Sequence, residues 1–381
     1  MQKHLNDMER FAMLQKTKEF LKKEAVLSIA ALCAIATMFL VPPSMEYLHY
    51  IDFRVLCLLL CLMGVVAGFK SLGAFEYLTY QLLSRIRSGR ILGVTLVMLP
   101  FFCSMLVTND VALLIFIPFT LDLLTRLDLK KTIIPVIVLQ TVAANLGSMA
   151  TPVGNPQNLY LYSSFNLSAA DFFSVTLPLT VVSLVVLTLA AFPVLPRILS
   201  RQELKKAEIR STRQLLLFTA LFGLCLLTVF RVVPYPVTTA IIVAVLAVLN
   251  RKLLKEIDYM LLLTFVCFFI VSENLGALEV VRSFLQSLLA KSTLLTSMGA
   301  SQIISNVPAA VLLSGFTDQW RDLLAGVNIG GLGTPIASLA SLITLKMYLR
   351  WPGADIRKFI GIFTLVNVAG LMILLSFSLL V

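Results

Sequence analysis

The residues of this sequence that could do chemistry are uncharged, and they come in pairs. Thr108-Asn109-Asp110 and Ser305-Asn306-Val307 each interrupt a long apolar run. Farther along, Asn145-Leu-Gly-Ser-Met-Ala-Thr-Pro152 and Asn328-Ile-Gly-Gly-Leu-Gly-Thr-Pro335 share the pattern Asn-x-Gly-x-x-x-Thr-Pro. Pro donates no backbone hydrogen bond and Gly adopts unusual dihedrals, so an apolar helix unwinds at such a point. Unwinding bares carbonyls that can hold a cation, and half-helix N-termini whose amides can hold an anion. Four such ends meeting in mid-membrane would bind a small ion without a charged side chain. An isolated Gly or Thr-Pro would only kink a helix or let it pack closely. Recurrence with Asn, Thr and Ser alongside, in corresponding positions of two halves, points to a transport site.

Other chemistries find little support. The only histidines are His4 and His49, both outside the apolar runs, and no zinc or haem spacing occurs. Cys33, Cys57, Cys61, Cys103, Cys225 and Cys267 all lie inside apolar runs and read as small packing residues. A membrane enzyme would need clustered His, Asp or Glu for acid–base or metal chemistry, and the sequence has no such cluster.

The elements that position these residues are membrane helices. Of 381 residues, 59% are hydrophobic and 13% charged, with a mean hydropathy of +0.93. Soluble chains carry roughly 25% charged residues, and runs near 20 apolar residues recur here, about the length that crosses hydrocarbon. The net charge of +11 orients the chain rather than binding nucleic acid. Twenty-six of the 31 Lys and Arg fall in segments 1–24, 70–90, 126–131, 197–213, 251–255 and 346–358. Arg54, Arg231, Arg282, Lys291 and Arg321 remain for the other side. That bias places the N-terminus and the linker 197–213 in the cytoplasm, with the chain multi-pass in the plasma (inner) membrane. Residues 1–24 mix acids with bases and no cleavage site follows, so they read as a cytoplasmic amphipathic helix rather than a secretory signal.

Spans are expected at about 25–43, 53–69, 132–161, 172–196, 214–232, 237–249, 257–272, 325–349 and 359–380. Segments 91–124 and 292–317 have polar ends that the charge rule puts on one side, so each is expected to be a re-entrant hairpin, one from each face. Such a turn within the bilayer is tolerated only in protein or beside water. Ser71-Leu-Gly-Ala-Phe-Glu-Tyr-Leu78 resembles Asn274-Leu-Gly-Ala-Leu-Glu-Val-Val281, and the hairpin and break segments also match in order. The expected fold is therefore an all-α membrane protein of two inverted-topology repeats. The first is 25–196, with hairpin 91–124 and break 145–158. The second is 214–381, with hairpin 292–317 and break 328–341.

At these residues the chain resembles the ion transporter superfamily, which includes sodium-coupled citrate and dicarboxylate carriers, arsenite permeases and some sodium/proton antiporters. Thr108-Asn109 matches the superfamily's first hairpin tip, and Gly154-Asn155-Pro156-Gln157-Asn158 its first break with two substitutions. Ser305-Asn306 matches the second tip of the carboxylate carriers, with Val307 in place of Thr. Thr334-Pro-Ile-Ala-Ser-Leu-Ala-Ser341 and Thr108-Asn109-Asp110 are closer to arsenite permeases. The resemblance implies a homodimer whose protomers divide into a scaffold and a moving, elevator-type transport domain. It implies secondary transport of a small anion, citrate- or dicarboxylate-like or an oxyanion, coupled to sodium or protons. Arsenite-type efflux and sodium/proton antiport are the alternatives within the superfamily, and a channel with paired half-helices is the alternative outside it. Substrate would meet Thr108, Asn109, Asn155, Pro156, Ser305, Asn306, Thr334, Pro335 and Ser338. Sodium, the one ligand implied besides substrate, would be held in the first half by Asn109, Asp110, Asn145, Gly147, Thr151, Gly154 and Asn158. In the second half it would be held by Ser305, Asn306, Asn328, Gly330 and Ala337.

Asp110 is the one acidic residue placed near the middle of the membrane. Its two readings are a cation ligand or proton carrier, and an N-cap for the second hairpin arm. Glu76 and Glu279 recur in both halves on polar faces of interfacial helices, where a solvated or structural role is expected. No basic residue falls at this depth, so an anion would be held by amides, hydroxyls, half-helix dipoles and bound sodium. A neutral arsenite-like solute would suit the same donors.

Overall fold

Polar residues cap the apolar runs and set where the helices begin. Asp52, Asn155, Ser168, Ser211, Asp258, Ser292 and Asp355 each stand at a helix N-cap and accept a hydrogen bond from the amide three residues on. The structure, a computed structural model, describes residues 24–84, 86–197 and 206–380. Among them regular structure is helical, with no strand. The expected N-terminal amphipathic helix and most of the linker's first half lie outside the described residues.

The first half contains α1 (Ala25–Met38), α2 (Tyr47–Tyr50), α3 (Phe53–Ser71), α4 (Ala74–Leu83), α5 (Gly89–Cys103), α6 (Asn109–Arg126), α7 (Ile133–Ser148), α8 (Pro156–Ser164) and α9 (Ala169–Ala191). The second contains α10 (Thr212–Val229), α11 (Tyr235–Leu249), α12 (Arg251–Lys255), α13 (Tyr259–Gly276), α14 (Glu279–Lys291), α15 (Thr293–Ile304), α16 (Asn306–Ser314), α17 (Trp320–Ile329), α18 (Leu339–Leu349) and α19 (Ile356–Ser378). Six helical segments among the described residues are long and apolar enough to cross a membrane: 53–71, 130–148, 169–191, 212–229, 259–276 and 356–378. Helix α1 is shorter than expected: Phe39 to Val41, just before Pro42-Pro43, leave the helix.

In each segment expected to be a hairpin two helices, α5–α6 and α15–α16, pack on each other. Their turns differ. The first takes Ser104 to Thr108, so Asn109 and Asp110 open α6 rather than forming the turn itself. The second turns on Ser305 alone, at φ 73°. Both breaks are narrower than expected, at Met149–Asn155 and Gly330–Ser338, because Asn145 and Asn328 stay helical in α7 and α17.

Contacts repeat between the halves. Helix α5 packs on α7 and α15 on α17. Each arm that follows a break crosses over: α8 packs on the second hairpin's α16, and α18 on the first hairpin's α6. Helix α7 is apolar on all sides and buried along nearly its whole length, the pattern of a helix enclosed by protein. Segments assigned to one face of the membrane meet each other. Arg210 holds the Ser71 and Leu72 carbonyls, and Gly89 N–H donates to Arg197. At the opposite end Arg54 donates to the Thr228 carbonyl, and Arg231 to those of Tyr162 and Asn166.

Candidate functional site

The tips and breaks meet in the interior, where each half makes the same contacts. Asn109 N–H donates to the Gly154 carbonyl at 3.3 Å, and Asn306 N–H to that of Ala337 at 3.0 Å. The Thr151 hydroxyl donates to the Met105 carbonyl, and the Thr334 hydroxyl to that of Gln302. Ser104 lies against Gly147 and Ser301 against Gly330, where a Cβ would come within 2.8 Å of Ser104 Oγ and of Ser301 Cβ respectively. Those glycines let the hairpin arm lie directly on the broken helix.

Amide side chains then join the two breaks to each other. Asn145 Oδ1 accepts from Asn109 Nδ2 and from Ser338 Oγ, both at 2.9 Å. Asn328 Oδ1 accepts from Asn155 Nδ2 at 3.3 Å, while Asn328 Nδ2 donates to Asn158 Oδ1 at 2.7 Å. Each break asparagine thus receives the N-cap residue of the opposite half's post-break helix. Asn155 also caps α8 by accepting from Asn158 N–H at 2.9 Å, with Pro156 at the first helical position, where its missing N–H is not needed. Asn109, Asn145, Asn155, Asn158, Ser305, Asn306, Asn328 and Ser338 are all buried.

The remaining expected residues divide. Thr108 is the half-buried N-cap of α6 and its side chain makes no cap bond. Thr151 and Thr334 direct their hydroxyls at hairpin carbonyls, so they fasten break to arm; Thr334 and the half-buried Pro335 lie at the edge of the network. Ser305 Oγ reaches the Ala337 carbonyl at 3.4 Å. Asp110 is the second residue of α6, not its N-cap, and its Oδ1 is buried without a hydrogen-bond partner. Asp258, the N-cap of α13, is near enough to act on it electrostatically. A buried carboxylate oxygen with no donor calls for a proton or a cation. Next to it Asn109 is fully engaged: its N–H donates to the Gly154 carbonyl, its Oδ1 accepts from Asp110 N–H and its Nδ2 donates to Asn145.

Sequence reasoning missed four features. Gln302 Nε2 donates to the Gly330 and Leu332 carbonyls at 2.8 and 2.9 Å, and its Oε1 accepts from Thr334 N–H at 2.9 Å. Ser341 Oγ, which follows the second break as Asn158 follows the first, is buried without a partner. Gln140 crosslinks α7 to α5 and α6 through the Leu96 carbonyl and Thr120, both at 2.8 Å. A polar pocket of about 410 Å³ opens against α8 and α16, lined by His49, Asp52, Tyr160, Glu273 and Ser314 among others. A lone Gln or Ser in an apolar run carries no pattern, whereas the Gln302 position differs from its counterpart Met105 and so was open to a comparison of the halves.

The model of the citrate transporter family matches residues 11–318 of this chain. A protein of Methanocaldococcus jannaschii named uncharacterized transporter MJ0456 is 32% identical over 343 residues, 88% of this chain and 91% of its own length. Inner membrane protein YbiR of Escherichia coli K12 is 31% identical over 301 residues, 78% of this chain and 80% of its own. Silicon efflux transporter LSI3 of Oryza sativa subsp. japonica is 34% identical over 128 residues, 34% of this chain and 26% of its own.

Proposed function

This chain belongs to the citrate transporter family and is a multi-pass membrane transporter, not an enzyme, and on that premise we propose that it carries a small anion by secondary active transport coupled to sodium or protons. The observation that carries the proposal is the direct joining of the two breaks, Asn145 to Ser338 and Asn328 to Asn155, beneath two hairpin tips. A ligand bound there touches both halves at once. Amides at the starts of α6, α8, α16 and α18 supply positive ends for an anion, and Asp110 holds the coupling cation.

In this mechanism α5–α6 and α15–α16 are re-entrant hairpins of two inverted repeats, entering from opposite faces. The N-terminus is cytoplasmic, in the cell's inner membrane. Hairpins and broken helices move together as an elevator-type transport domain against a scaffold, two protomers forming a dimer. The crossed packing of α8 on α16 and α18 on α6 suits a body that moves as one piece. The pocket between α8, α13 and α16 would be the approach to the site from the outer face.

The local likeness to a silicon efflux transporter supports a second reading, export of a neutral or weakly acidic hydroxylated oxyacid. Neither substrate needs a basic side chain at the site. Proteoliposome transport across a panel of carboxylates and oxyanions, with and without a sodium or proton gradient, tests the proposal. Saturable, gradient-driven carboxylate uptake is the expected result. Flux of an oxyacid alone moves the assignment to the second reading, and unsaturable flux that ignores gradients means a pore.

A further inference from the structure

We infer that Gln302 fills the place of a cation in the second half, so that ion coupling runs through the first half alone; this rests on the ion-coupled transport proposed above. The two halves can be compared residue by residue through their shared contacts. The Thr151 hydroxyl meets the Met105 carbonyl as the Thr334 hydroxyl meets that of Gln302, so Met105 and Gln302 correspond. Asn109 and Asn306 make the same backbone bond to their breaks, so Asp110 and Val307 correspond.

Both differences point the same way. In the second half the Gln302 amide stands where the break's polar groups converge. Its Nε2 takes the Gly330 carbonyl at 2.8 Å and the Leu332 carbonyl at 2.9 Å, and its Oε1 takes Thr334 N–H at 2.9 Å. A cation shared by those two carbonyls would have to displace Nε2. Met105 has no such donor. In the first half the carbonyls corresponding to Gly330 and Leu332 are those of Gly147 and Met149; the first accepts Ala150 N–H at 3.0 Å and the second the Asn158 amide at 3.3 Å, and no side-chain amide bridges the two. The Asn158 bond is long and weak, one that a cation can replace. The carboxylate divides likewise: Asp110 has a buried oxygen without a partner, and Val307 has no oxygen to offer. Gly333 completes the fit. It takes φ +109°, and a Cβ there would collide with the Gln302 amide, so the backbone leaves room for this side chain. An uncharged amide on a tether thus satisfies the second break permanently, while the first keeps a carboxyl group whose buried oxygen still needs a proton or a cation.

The test is a sodium titration of thermal unfolding on the purified full-length protein in detergent, with choline chloride holding ionic strength. Wild type is expected to be stabilised with a slope near one when its unfolding free energy is plotted against RT ln[Na+] above saturation, the mark of one bound ion. Gln302→Met/Val307→Asp copies the first half into the second, and its slope is expected to rise toward two. A wild-type slope of two overturns the inference, as does sodium dependence lost in Gln302→Met alone, because Gln302 would then belong to an ion site. A double variant that folds but keeps the wild-type slope also overturns it. If the double variant does not fold, the wild-type slope and Gln302→Met decide. A wild type indifferent to sodium sinks sodium coupling as a separate matter; the inference then requires the double variant to gain a dependence that wild type lacks.

Discussion

Replacing Asn145 by alanine cuts the join between the two breaks at its best-bonded atom. Asn145 Oδ1 accepts two hydrogen bonds of 2.9 Å, from Asn109 Nδ2 and Ser338 Oγ. The third contact, Nδ2 to the Gly331 carbonyl at 3.4 Å, is too long to count for much. Asn109 is 5% exposed and Ser338 1%, so neither donor finds solvent once the acceptor is gone. Each orphaned neutral donor costs about 1–3 kcal/mol, which makes about 2–6 kcal/mol for the pair. A water entering the space left by the side chain would recover part of this, so the lower end, about 2 kcal/mol, is expected. For a chain of this length that corresponds to a fall in melting temperature of roughly 2–3 °C. The assay is thermal unfolding of the purified protein by fluorescence-detected size exclusion, alongside uptake in proteoliposomes. In a double-mutant cycle with Ser338→Ala the two changes should couple by about 1 kcal/mol, since Ser338 no longer has that partner to lose. Unfolding within error of wild type, with normal uptake, would refute the claim that this asparagine holds the halves together.

Four further outcomes follow from the same geometry. Asp110→Asn removes the charge at nearly constant volume, so uptake should lose its pH or sodium dependence or fail; Asp258 stays as the neighbouring carboxylate, and unchanged ion dependence would end the coupling role of Asp110. Gly147→Ala drives a Cβ into the Phe101 carbonyl oxygen, backbone that cannot yield, and should cost about 1–3 kcal/mol or more with loss of transport. Gly299→Ala, with nothing within 4 Å, should be neutral or stabilising by up to about 1 kcal/mol. Asn109→Ala and Asn306→Ala should both abolish coupled uptake without preventing membrane insertion, but only the first should remove stabilisation by sodium in the unfolding assay.

The sequence made the interruptions legible because Pro, Gly and Asn in an apolar run have few other uses. Thr108-Asn109, Ser305-Asn306 and the two Thr-Pro breaks stand where the helices stop or turn. It did not show which polar groups would face a ligand and which would face each other. Asn145 and Asn328 read as ion ligands, yet their side chains are engaged with the opposite half. That depends on how α7 and α17 are brought together, which no local pattern encodes. Thr151 reads as an ion ligand and Thr334 as a substrate contact, and in the structure both hydroxyls are given to hairpin carbonyls. Gln302 stayed hidden because the repeat directs attention to what the halves share, whereas this residue matters where they differ. The amphipathic faces of α4 and α14, by contrast, were readable, with Glu76 and Glu279 in their first turns.

The crossed arms constrain how the protein can be made. Helix α6 is covered by α18, and α8 by α16, so each hairpin is completed only by a helix from the far side of the molecule. A ribosome adds about 5–20 residues per second. From the emergence of Asn109 to that of Leu349, the first tip waits on the order of ten seconds to a minute with its cover still unmade. During that time Asp110 and Asn109 have neither α18 nor the second break beside them. Separately expressed halves should be unstable alone, and should regain stability when produced together in the same membrane.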